Sequence, residues 1–87
     1  MRALVVVYGR RECGPCAAVH LQVMELAARL DFDVEAIDID LDDEALRKYM
    51  FDIPVVVLEG VELAKAPVSP VALAAALREA MRERRCS

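Results

Sequence analysis

Leu4-Val5-Val6-Val7-Tyr8-Gly9, followed by Arg10-Arg11-Glu12 and then Cys13-Gly14-Pro15-Cys16, is the stretch that decides the fold. Leu4 to Tyr8 is an apolar, β-branched run closed by a glycine, and reads as a strand. An unbroken apolar run means that both faces are covered, as in the centre of an α/β sheet. From Ala17 to Leu30 the period changes to that of a helix. Val19, Val23, Leu26 and Leu30 make one apolar stripe, while Ala18, Gln22, Glu25 and Arg29 fall on a different face. Pro15 suits the first turn of that helix, where its missing N–H costs nothing. The two cysteines therefore sit at a strand-to-helix junction.

Working outward, Val34 to Ile39 reads as a second strand flanked by aspartates. Asp42 can cap a helix from about Asp43 to Met50, with Asp43 and Glu44 at the positive end of its dipole. Pro54 opens a third strand, Val55 to Leu58. Glu59-Gly60 is a two-residue turn into a fourth, Val61 to Ala64, so the last two strands form an antiparallel hairpin. Ser69-Pro70 is an N-cap and first helical residue, and Leu73, Leu77 and Met81 face the core of the helix that follows. The order is βαβαββα. It predicts an α/β fold with a mixed four-stranded sheet and helices on both faces, residues 1–87 forming one domain.

Composition excludes several classes of function. The chain has 87 residues, 57% of them hydrophobic, with net charge −4 and three cysteines. It is too apolar for a disordered chain. Its acidic balance argues against nucleic acid as a partner, since phosphate binding needs a basic face, and against an anionic membrane surface. No run reaches the roughly 18 apolar residues of a membrane span. Leu4 to Val7 is too short for a secretory leader, so the expected location is cytoplasmic. Thiols stay reduced there, and three cysteines are too few for a disulfide scaffold. They are read for chemistry instead.

Cys13 and Cys16 carry that chemistry. Their i, i+3 spacing at a helix start brings both sulfurs to one side. A dithiol that cycles to a disulfide needs that closeness. Unpaired amides and the dipole at the helix N-terminus favour thiolate over thiol, and thiolate is the nucleophile. Cys13, at the loop edge, is expected to be exposed and to attack. Cys16, one turn in, is expected to be sheltered and to resolve the mixed disulfide. Arg10 and Arg11 favour the thiolate, and Glu12 opposes it.

Cys13-Gly14-Pro15-Cys16 resembles the thioredoxin superfamily, having the residues of the thioredoxin dithiol motif. Ile53-Pro54 matches the position where these folds carry a cis-proline facing the dithiol. The short element order resembles small glutaredoxin-like proteins, over Leu4 to about Arg84. The resemblance implies a thioredoxin-like fold of glutaredoxin size and a thiol–disulfide oxidoreductase. Its catalytic residues would be Cys13 and Cys16, with Gly14, Pro15 and Arg11 supporting the motif. Ile53 would offer its backbone to a substrate peptide beside a cis Pro54, and the redox-active disulfide would replace any cofactor. Disulfide-containing proteins would be substrates, with a thiol reductase or thiol pool as electron source.

Departures from the family narrow this. Thioredoxins place a tryptophan where Glu12 stands, and bury an aspartate under the site, where the first strand here has no acid. Glutaredoxins carry a Gly-Gly pair and an aspartate after the hairpin, which Gly60 to Ser69 lacks, so glutathione is not favoured. His20 reads as a solvated helical histidine. With Cys13, Cys16 and Cys86 it would complete a Cys₃His zinc set, but nothing points Cys86 back at the dithiol, and no metal is expected. Cys86 reads as a loose tail thiol. Tyr8, Tyr49, Phe32 and Phe51 read as core or half-buried aromatics. Two other functions compete with the redox enzyme. One is a metal-binding module holding zinc or a bridged iron–sulfur cluster, and the other is a non-catalytic thioredoxin-like adaptor.

Overall fold

The structure is a computed structural model that describes residues 2–86, with side chains described for 2–84. Four strands, β1 (Leu4–Gly9), β2 (Asp33–Asp38), β3 (Val55–Leu58) and β4 (Val61–Lys65), form one sheet in the order β2-β1-β3-β4. β1 runs parallel to β2 and antiparallel to β3, and β3 pairs antiparallel with β4. Helices α1 (Gly14–Leu30), α2 (Asp43–Tyr49) and α3 (Pro70–Cys86) complete the chain, with a 3₁₀ turn at Ile39–Leu41. This is the mixed α/β architecture that the apolar runs predict.

The period-2 alternation of β1 and β3 divides the core between two faces. Val5, Val7, Val56 and Leu58 pack under α1 and α3, against Val19, Val23, Leu26, Leu73, Leu77 and Met81. Val55 and Val57 face the other way, against Ile39, Ala45 and Tyr49, with Tyr8 and Ile53 packed at the margin. No polar or charged residue is buried among the described residues. Apolar burial on both faces holds the central strands in place, and the caps define the ends of the helices.

α1 begins at Gly14, so Pro15 lies in its first turn as expected; Cys13 is its N-cap, and Ala17 N–H bonds Cys13 O at 3.1 Å. Other boundaries differ from the sequence reading. β2 starts and stops one residue early, since the Asp38 carboxylate accepts the Asp40 N–H at 2.9 Å and turns Ile39 into the 3₁₀ segment. α2 ends at Tyr49 and β4 extends to Lys65. Phe51 is not a core aromatic: it is 89% exposed, in the turn after α2. Phe32 and Tyr49 are buried and Tyr8 is half-buried, stacked on Tyr49 with ring centroids 4.6 Å apart. Tyr8 thus belongs to the α2 face of the sheet.

The predicted caps form. Ala45 N–H donates to Asp42 Oδ1 at 3.1 Å and Ala72 N–H to Ser69 Oγ at 3.3 Å. Glu59 and Gly60 both have positive φ, as a tight two-residue hairpin turn requires. No described helix is long and apolar enough to cross a membrane.

Candidate functional site: a dithiol at the start of the first helix

The site is built around Gly9, the last residue of β1. Gly9 pairs with Asp38 of β2 on one side. On the other, one step beyond the Tyr8–Val55 pair, Pro54 comes level with it. Above it lies Cys16: a Cβ on Gly9 would sit 2.9 Å from Cys16 Cβ and 3.1 Å from its Sγ. Only a glycine lets α1 descend this closely onto the strand end. The sequence reading took Gly9 merely as the end of a strand, and no local pattern marks it as a contact.

Between β1 and α1 the chain turns through Glu12, which adopts a left-handed conformation with φ 59°. Cys13 follows in extended conformation and caps α1, its Sγ accepting the Cys16 N–H at 3.1 Å. The helix has no acidic residue in its first turn to compete for that positive end. Cys13 and Cys16 are joined as a disulfide, with Cα atoms 5.2 Å apart. Cys16 is buried at 6% exposure. Cys13 is half-buried, more sheltered than the exposed thiol that the loop edge predicts, because its sulfur turns inward to the helix amides.

The charges around the pair are not all available to it. Arg10 is held away by Asp40, with its Nη2 and Nε at 2.6 and 3.2 Å from the two carboxylate oxygens. That bond, with the attraction of the charges, holds the Asp40 carboxyl below the usual range and pushes the Arg10 guanidinium further up. The expected help of Arg10 to the thiolate is therefore largely cancelled. Arg11 is exposed and has no such partner among the described residues.

Ile53 and Pro54 lie just before β3, beside the site in register, and their peptide bond is cis. Pro54 is fully buried, and the Ile53 side chain packs into the α2 cluster. The Ala66–Pro67 bond is also cis, and Ala66 N–H donates to Asp52 O at 3.1 Å, tying the two proline loops together. On the opposite flank of the dithiol, towards β2, lies a cleft of about 660 Å³. Both cysteines line it together with Val7, Ala17, Ala36 and Ile37, and His20 reaches it from α1. His20 is half-buried there, not a freely solvated helical residue. No cluster of three metal-ligating side chains occurs among the described residues, and the Cys86 side chain lies outside them.

Residues 4–79 match the family described as Glutaredoxin-like domain (DUF836). The chain belongs to that family. A comparison with curated proteins finds no match. Among solved structures, the glutaredoxin-like chain is similar to thioredoxin 1 of Thermosipho africanus, with a TM-score of 0.73 and 17% identity over 94% of this chain and 98% of that one. It is similar to protein Ne2328 of Nitrosomonas europaea, with a TM-score of 0.70 and 27% identity over 86% and 91%. It is also similar to Fasciola hepatica thioredoxin, at 0.64 and 28% over 94% and 80%. The glutaredoxin-like domain thus has the thioredoxin-like fold that the dithiol motif implies. With a CxxC pair within disulfide range, that fold suggests a redox function.

Proposed function

We propose that this glutaredoxin-like domain is a thiol–disulfide oxidoreductase that reduces disulfides by dithiol exchange. The observation that carries the reading is the asymmetry of the pair at one helix start. Cys13 Sγ holds the position that accepts a helix amide and remains partly open to solvent, while Cys16 is enclosed. Hydrogen bonding and the dipole lower the proton affinity of a sulfur at the first position, and burial raises it at the second.

In the reduced state Cys13 is therefore the thiolate that attacks. Its electron pair forms a bond to one sulfur of the target, and the other target sulfur leaves as a thiolate. Cys16 then loses its proton and attacks Cys13 Sγ, releasing the second target thiolate and restoring the intramolecular disulfide. Two electrons pass from the protein to the target. Ile53, unpaired in the sheet registers and beside the dithiol, offers backbone groups to an extended peptide, which makes protein disulfides the favoured substrates.

Glutathione is not favoured as electron source, because Gly60 to Ser69 lacks the Gly-Gly pair and aspartate that glutaredoxins carry after the hairpin. The reading is tested by following insulin reduction with dithiothreitol as electron source. Wild type accelerates it and Cys13→Ser does not. A silent wild type, or a mutant as active as wild type, removes the proposal.

A further inference from the structure

The dithiol has two flanks, and they differ in kind. Ile53 and Pro54 flank it on the β3 side and contribute nothing to the cleft on the β2 side. The cleft, at about 660 Å³, falls in the usual range of about 300–1,000 Å³ for sites that enclose a small molecule. Val7, Ala17 and Ala36 give it short apolar walls, and both cysteines of the disulfide line it.

The charged groups at its rim come from every element around it. Arg10, Arg11 and Glu12 lie on the loop, His20 on α1 and Asp38 on β2. With Asp40, which holds Arg10, the two arginines meet three carboxylates. Arg10 is bound to Asp40, and Asp38 Oδ1 accepts the Asp40 amide. Such a rim, with a negative excess, repels an anion such as glutathione, and an apolar wall penalises a buried charge of either sign. The complementary ligand is neutral. A polypeptide disulfide comes on an extended backbone, for which Ile53, outside the sheet registers on the β3 flank, has groups to offer.

We propose that the β2-side cleft admits the electron donor of the Cys13–Cys16 pair, a small, uncharged, largely apolar dithiol. This rests on the oxidoreductase reading above and adds the class of its reductant. A thiolate of the donor attacks Cys13 Sγ, and the Cys13–Cys16 bond breaks. Cys16 leaves as a thiolate and takes a proton from solvent. The donor's second thiol, deprotonated, then attacks the donor sulfur of the mixed disulfide and closes a cyclic disulfide. Cys13 is released as a thiolate, held by the Cys16 N–H. The donor loses two electrons and the protein gains them. A dithiol resolves the mixed disulfide in place, without a second molecule entering the cleft.

Dihydrolipoamide, which is neutral, alkyl-bodied and dithiol-bearing, serves as the probe. Oxidised full-length protein is mixed with it, quenched in acid, alkylated and weighed. The reduction rate is expected to saturate with dihydrolipoamide concentration, while reduction by glutathione stays linear and slow. Ala36→Leu places a larger side chain in the cleft from an exposed position of β2. It is expected to cut the dihydrolipoamide rate about tenfold. Single-turnover reduction of insulin by the pre-reduced variant should stay within about twofold of wild type. A dihydrolipoamide rate that is linear, or unchanged by Ala36→Leu, overturns the proposal, as does an equal loss in both assays. If pre-reduced wild type fails to reduce insulin at all, the oxidoreductase reading falls instead.

Discussion

At the scale of single residues, the site depends on one absent side chain and one ion pair. A methyl group at Gly9 meets Cys16 at 2.9 Å, tighter than real contacts allow, so Gly9→Ala must push the start of α1 off the strand. Overpacking of this kind costs about 1–3 kcal/mol. The expected result is a denaturant midpoint lowered by that amount and a changed alkylation rate for Cys16. Unchanged values would show that α1 can shift freely. Asp40 acts in the opposite way, by occupying Arg10. Asp40→Asn leaves that guanidinium uncompensated beside the cleft and stabilises the Cys13 thiolate. Both partners are exposed, so the Cys13 pKa should fall only slightly, and less in high salt. Iodoacetamide alkylation against pH measures it, and a rise would refute the assignment. The same pair has a pH signature. The Asp40 carboxyl titrates below its ordinary value, so the bond is intact at neutral pH and is lost as pH falls through that lowered pKa. Carboxyl chemical shifts of Asp40 would follow it directly.

At the scale of elements, the proposed nucleophile is also a structural part: Cys13 is the N-cap of α1. Serine keeps an acceptor at that position and alanine does not. Cys13→Ala should therefore be less stable than Cys13→Ser by about 0.5–2 kcal/mol in urea unfolding, both variants equally lacking the disulfide. Equal stability would mean that the Cys16 N–H contact contributes nothing to the helix. This double duty explains what the sequence displayed and what it hid. The strand, the CxxC spacing and the Val19, Val23, Leu26 stripe are local patterns, and they were legible. The Asp42 and Ser69 caps were legible for the same reason. The start of α1 was legible through Pro15 in its first turn; Cys13 as its cap was not, because a cysteine is no ordinary cap signal. The grip of Asp40 on Arg10 spans thirty residues, and the Gly9–Cys16 approach depends on how a helix docks. Neither leaves a mark in the local sequence. Phe51 was misplaced because aromatic character does not say which side of a turn a side chain leaves from.

At the scale of the whole molecule, stability and chemistry are separated along β1. The cluster under α1 and α3 joins the first strand to the last helix, so Ala3, Val5, Leu73, Leu77 and Met81 close the chain on itself. The dithiol lies at the other end of β1, past Val7, beside Gly9. Leu77 is fully buried and lines no part of the cleft. Truncation to alanine removes its apolar contacts and leaves a cavity, at a cost of about 2–5 kcal/mol. A chain of this size has stability of only about 5–10 kcal/mol in hand, so Leu77→Ala should lower the melting temperature substantially in one cooperative transition. The alkylation pH profile of Cys13, measured well below that transition, should nonetheless match wild type, because the cap, the Asp40–Arg10 pair and the Gly9 contact are untouched. A shifted profile would show that the packing under α3 reaches the sulfur, and that the helix start is set by the whole core and not by its own end.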